Sequence, residues 1–132
     1  MSYPDIADLA DVSAAVNLLP YKADPPDDDN WSPIDDSGGD CDSYAVAKLH
    51  RLRALGWPIA ALRLALCYVE TGEYHAVLSV DTDDGERILD NRFSHPCTLD
   101  ELARIGYKPD RIQIEGGSRT WVDWKWKENG RP

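Results

Sequence analysis

The hydrophobic period of this chain changes from helical to alternating at Gly56-Trp57-Pro58, and the change requires a fold that sets a helical part against a sheet. Before it, Ala45, Leu49, Leu52 and Leu55 recur at steps of four, three and three, one face of a helix that starts near Cys41. Gly56 ends that helix and Pro58 prevents its resumption. After it, Leu62, Leu64, Leu66 and Tyr68 alternate with Arg63, Ala65, Cys67 and Val69, a strand ended by Glu70-Thr71-Gly72-Glu73. A second strand from Tyr74 to about Val80 and a third from Glu86 to Asn91 form a hairpin through the acidic turn Asp83-Asp84-Gly85. Thr98 and Glu101 then make a capping box on a short helix. Arg111 to Glu115 and Thr120 to Trp126 flank Gly116-Gly117 as a last hairpin, with Trp121, Trp124 and Trp126 spread over both faces of its second strand. Upstream, Ile6, Leu9, Val12, Val16 and Leu19 keep a helical rhythm, with Pro4 suited to the first turn and Pro20 closing the segment. From Asp24 to Asp36 the chain is acidic, proline-containing and irregular, and Trp31 and Ile34 argue that this stretch is pinned to the body. The expected fold class is α+β, a central helix packed on an antiparallel sheet, in a single domain over residues 1–132.

The charge narrows the partners. A formal net charge of -10 argues against a nucleic-acid backbone or an anionic membrane surface, both of which need clustered Lys and Arg. The three cysteines lack the short spacings of a zinc site and cannot all pair, so they read as thiols of a reducing compartment. The first residues, Met-Ser-Tyr-Pro-Asp-Ile-Ala-Asp, have neither a basic start nor an apolar run, which gives a cytoplasmic location as the expectation. A monomer acting on a protein or peptide, away from nucleic acid and membrane, is the expected partner profile.

The chemistry centres on Gly38-Gly39-Asp40-Cys41-Asp42-Ser43-Tyr44-Ala45, where a glycine pair gives way to the helix. A thiol in a first helical turn faces unpaired backbone N–H groups and the positive end of the helix dipole, both of which favour thiolate. Cys41 is therefore the candidate nucleophile. A thiolate enzyme also needs an imidazole to carry the proton and a third group to orient that imidazole. His75 and Asp90 meet the requirement, because any register that pairs odd with even residues puts them on one face of the hairpin. Direct opposition needs Val80 to face Gly85 across a loop from Asp81 to Asp84. A tight turn at Asp84-Gly85 would instead set Ser79 opposite Asp90 and leave His75 about 13 Å away along the strand. His50, near the end of the central helix, and His95, in a loop before Pro96, are expected to stand outside the chemistry.

With these residues in place the chain resembles the bacterial transglutaminase-like cysteine proteinases, whose characterised members include a periplasmic enzyme that releases large surface adhesins. The matching residues are Val16-Asn17 with Tyr21 and Asp24, Trp31-Ser32-Pro33, Gly39-Asp40-Cys41-Asp42 with Tyr44-Ala45, Leu52 with Leu55-Gly56-Trp57, His75-Ala76-Val77-Leu78 and Leu89-Asp90-Asn91. The resemblance implies a papain-like, transglutaminase-like core and a Cys41, His75, Asp90 triad. It implies a cysteine peptidase acting through a thioester, with transamidation, deamidation or murein amide hydrolysis as alternatives on the same triad. A non-catalytic binding module on the same fold is the rival from another class. In the adhesin-releasing relatives acidic residues flanking the cysteine are implicated in calcium binding, and Asp40 and Asp42 match two such positions. Ser43 stands where relatives have a further acid, so calcium is possible but not expected to be required.

Overall fold

The computed structural model of the chain describes residues 3–18 and 41–126, the side chains of 41–43 excepted. The end of the first predicted helix at Leu19-Pro20, the acidic stretch from Asp24 to Asp36 with Trp31 and Ile34, and Gly38 to Asp40 lie outside them. The elements are α1 (Ala7–Asn17), α2 (Cys41–Ala54), a 3-10 turn (Ile59–Ala61), β1 (Leu62–Tyr68), β2 (Tyr74–Thr82), β3 (Gly85–Leu89), α3 (Leu99–Arg104), β4 (Lys108–Gln113) and β5 (Trp121–Asp123). The strands form one antiparallel sheet in the order β3-β2-β1-β4-β5, so the expected α+β class is what the chain adopts.

The change of period is built as the sequence implies. Gly56 takes a φ of +99°, and the N–H groups of Gly56 and Trp57 return to the carbonyls of Arg53 and Leu52. These two bonds are a Schellman motif, which turns the chain out of α2. Trp57 is then driven inward, fully buried, stacked at 6.0 Å on Tyr3 and donating its indole N–H to Asp8 at 3.1 Å. A single-face reading of α2 is corrected here. Tyr44, Ala45, Val46, Ala47, Lys48 and Leu52 are all buried, whereas Leu49 is half-buried and Leu55, past the helix end, is 52% exposed. A helix held between α1 and the sheet is covered on more than one side, so no narrow apolar stripe is required.

The sheet is covered on both faces, which is why its strands carry apolar residues at odd and even positions. Leu62, Leu64, Leu78, Val80 and Leu89 face α1 and α2. Ala65, Cys67, Val77, Ile88 and Ile112 face Leu99 and Leu102 of α3, Tyr107 and Trp124. Of the three late tryptophans Trp124 is buried, and Trp121 and Trp126 are half-buried. Pro109, which has no N–H to give a ladder, lies in β4 beside a register shift at Leu66/Cys67. Gly116 is dictated by close approach, since a Cβ there would lie 1.7 Å from the carbonyl oxygen of Ile59.

Lys48 departs from the apolar pattern of the helix layer. It has no solvent exposure, and its Nζ has no hydrogen-bond partner among the described residues. Burial pushes its ammonium down to about 8, against the opposing pull of Asp90 and Cys97. Its folded pKa lies below the ordinary 10.5, so its penalty is present in full below pH 8 and relieved as pH rises from 8 toward 10.5. Replacing a buried charge by an apolar side chain of similar shape is neutral or stabilising by about 1–4 kcal/mol. In urea denaturation, Lys48→Met should therefore be at least as stable as the wild type at pH 7, and only the wild type should gain stability between pH 8 and 10.5. Equal pH slopes in the two proteins would contradict a buried ammonium.

Candidate active site

His75 is the second residue of β2 and is buried. Its partner is reached by a register that differs from both alternatives read from the sequence. The hairpin turns on Asp83-Asp84, with Thr82 opposite Gly85 and Leu78 opposite Leu89. Thr82 closes the turn, its hydroxyl donating to the Gly85 carbonyl at 2.6 Å and accepting the Asp84 N–H at 3.0 Å. Continued by one residue, this register sets Asp90 against Val77, so direct opposition to His75 does not occur and neither does opposition to Ser79. The parity argument holds, because Val77 and His75 share a face. Asp90 is thus diagonal to His75, and since β3 ends at Leu89 its side chain is free to lean across the gap. The result is a contact of 2.6 Å between His75 Nε2 and Asp90 Oδ1.

Asp90 has no solvent exposure, and each carboxylate oxygen has a donor. Oδ1 takes His75 and the backbone N–H of Arg92, the latter at 2.9 Å, and Oδ2 takes the Tyr107 hydroxyl at 2.7 Å. Burial alone would raise this carboxyl. The bonds from His75, the Arg92 backbone and Tyr107 outweigh it and hold Asp90 below the usual carboxylate value. An ionised carboxylate only accepts, so the proton on the facing ring nitrogen is fixed at His75 Nε2. Nδ1 is then the nitrogen available to a second partner. The Asp90 loop is tied down from behind, since the Asn17 side-chain amide donates to the carbonyls of Asp90 at 3.2 Å and Phe93 at 2.9 Å.

Tyr107 and Arg92 have no counterpart in the sequence reading. Tyr107 is delivered by the short helix: the Thr98–Glu101 capping box starts α3, and Gly106, at φ +99°, ends it with the N–H of Tyr107 returned to Leu102. Gly106 after the capped helix is the signal that foretells such a turn, though not what the tyrosine would meet. Arg92 follows Asp90 by two positions, pairs with Glu70 and donates to the Tyr107 oxygen at 2.9 Å. Arg92 and Asn91 line a pocket beside His75 together with Val69, Thr71, Glu73 and Tyr74.

The remaining candidates divide clearly. Cys41 is the first residue of α2, the helix that packs on β2, the strand carrying His75. The side chains of Asp40, Cys41 and Asp42 lie outside the described residues. His50 is exposed on α2, and His95 is exposed beside Glu101 at 3.4 Å, neither of them near the His75–Asp90 contact by any bond. Cys67 and Cys97 are buried, and burial, helped by Glu101 and Asp90, pushes the Cys97 thiol up to about 12. Among the described residues no group of three His, Cys, Asp or Glu side chains is placed to hold a metal ion, and no helix is long and apolar enough to cross a membrane.

Residues 4–129 match the family described as bacterial transglutaminase-like cysteine proteinase. The chain belongs to this family. It is accordingly a cysteine peptidase with a protein substrate, and the non-catalytic binding module is set aside. Its fold is similar to that of LapG from Legionella pneumophila. A calcium-bound structure of LapG is 29% identical, with a TM-score of 0.70, over 89% of this chain and 71% of that one. A second LapG structure is 30% identical, with a TM-score of 0.71, over 88% and 67%. An EGTA-treated one is 28% identical, with a TM-score of 0.69, over 94% and 74%. No curated protein matches the chain. The cytoplasmic expectation is overturned by the same comparison, because LapG is a periplasmic protease and points to the periplasm. That expectation had drawn a location from the first few residues, which do not determine it.

The burial of two thiols gives a direct prediction for this peptidase. Cys67→Ala and Cys97→Ala should each keep peptidase activity within about threefold of wild type and leave it fully sensitive to iodoacetamide, since a buried thiol is inert. Loss of that sensitivity in either variant would identify the substituted cysteine as the reactive thiol.

Proposed function

We propose that Cys41 is the nucleophile of this peptidase, His75 its base and Asp90 the group that orients His75. The observation that carries the reading is the 2.6 Å contact between His75 Nε2 and a fully buried, ionised Asp90, which leaves Nδ1 unprotonated in the neutral ring. Nδ1 takes the Cys41 proton as the sulfur attacks the scissile carbonyl carbon, and the carbonyl π electrons move to oxygen. The backbone N–H groups at the start of α2 are the donors for that oxyanion. When the C–N bond breaks, the leaving amine takes the proton from Nδ1 and a thioester remains on Cys41. Water then gives its proton to Nδ1 and its oxygen to the acyl carbon, and the C–S bond breaks to return the thiol.

Calcium enters the same reading through the relatives, one of whose structures is calcium-bound and another EGTA-treated. Asp40 and Asp42 are the residues that would hold it, an oxygen donor set of the right chemical kind, with Ser43 contributing only a neutral hydroxyl. Bound there, the cation would neutralise two carboxylates that oppose thiolate formation at the neighbouring cysteine. Two carboxylates without a third make a weak site, so calcium dependence is expected to be weak or absent. Activity titrated with calcium and then with EGTA should change by less than about threefold, and complete loss on chelation would show a required ion.

The roles are separable by substitution. Against a peptide library, Cys41→Ala and His75→Ala should abolish cleavage with the fold intact. Asp90→Asn should keep a residue of activity, because its part is orientation and not bond-making. Full activity in His75→Ala would end the assignment.

A further inference from the structure

Resting on the proposed role of Asp90, we propose that Tyr107 is a positioning residue of the catalytic centre. Its hydroxyl fixes the Asp90 oxygen that His75 does not use, and Arg92 fixes the direction of that hydroxyl. A guanidinium only donates, a carboxylate anion only accepts and a phenol has a single hydrogen. The Arg92 Nη1–H bond, at 2.9 Å, therefore occupies a lone pair of the Tyr107 oxygen, and the one phenolic hydrogen is committed to Asp90 Oδ2 at 2.7 Å. A carboxylate bonded through one oxygen can swing about its Cβ–Cγ bond. With Oδ1 held by His75 and the Arg92 backbone and Oδ2 by Tyr107, this one cannot swing, and the His75 ring is held in turn.

The rest of Tyr107 serves the same end. Its ring stands edge-on to His75 at 6.3 Å and 88°, and packs on Phe93 at 6.3 Å. The Arg92 guanidinium lies over it, 5.5 Å from the ring centre, with Glu70 holding the guanidinium from the other side. Because Arg92 also walls the pocket beside His75, one side chain connects the space open to substrate with the hydrogen bond that fixes the triad's acid. Among the described residues, the other ionisable groups within electrostatic reach of Asp90 include Lys48 on α2, Glu70 at the β1–β2 turn and the Cys97 thiol.

Tyr107→Phe keeps the ring and removes only the hydroxyl. It should lower kcat at least tenfold with KM within about twofold, and move the acid limb of kcat/KM to higher pH, because Asp90 loses a donor that favours its charged form. In protein labelled at histidine nitrogen, the His75 Nε2 proton should exchange with water at least tenfold faster than in the wild type. Arg92→Gln, which leaves Tyr107 in place, should shift kcat and proton exchange in the same directions by less. Wild-type kcat, acid limb and exchange rate in Tyr107→Phe would overturn the inference. Wild-type kcat in Asp90→Asn would instead overturn the role of Asp90 on which it rests, and the proton-exchange comparison, which needs no turnover, separates the two results.

Discussion

A carboxylate with no access to water is destabilising by several kcal/mol unless it is paired and hydrogen-bonded at every turn. Asp90 meets that condition through His75, the Arg92 backbone and Tyr107, each supplied by a different part of the chain. The β2–β3 hairpin brings the imidazole within reach, the turn after β3 brings the N–H, and the two ends of α3 bring the phenol. Asn17, at the end of α1, pins the loop that carries the acid. Much of the fold's irregular part is therefore accounted for by the need to keep one buried charge satisfied. The same bonds fix the tautomer of His75: the acceptor at Nε2 leaves Nδ1 unprotonated in the neutral ring.

The helix that starts at Cys41 is positioned by packing of a different kind. It packs between α1 and the sheet with Ala45 and Ala47 buried in the core, and it ends in a Schellman turn that sends Trp57 into the core. Lys48 is the exception in that layer, a buried cation on α2 with no hydrogen bond among the described residues and with Asp90 within reach of its charge.

Local chemistry made much of this legible in the sequence. The helix stop at Gly56, the capping box at Thr98 and Glu101, the hairpin through Asp83-Asp84 and the shared face of His75 and Asp90 each follow from short-range rules. Register did not, because a slip of two residues preserves parity and leaves the pattern of faces unchanged. The choice was made by the Thr82 hydroxyl closing a tighter turn and by Asp90 lying just past the end of its strand, which let a diagonal pair do what an opposed pair was expected to do. Tyr107 and Arg92 were hidden for a related reason. Tyr107 meets Asp90 seventeen positions and Arg92 fifteen positions back along the chain, with α3 in between, and no periodicity marks such a contact. The face of α2 was misjudged because a helix covered on two sides shows no single stripe, and the compartment because relatives, not the first residues, carry that information.

The most direct test of the Cys41–His75–Asp90 arrangement is site-resolved alkylation by iodoacetamide near neutral pH, read by mass spectrometry in wild type and in His75→Ala. The arrangement predicts that Cys41 reacts at least tenfold faster than Cys67 and Cys97 in the wild type and loses most of that advantage in His75→Ala. Equal and slow labelling of all three thiols, or a Cys41 rate unchanged by the loss of His75, would contradict it.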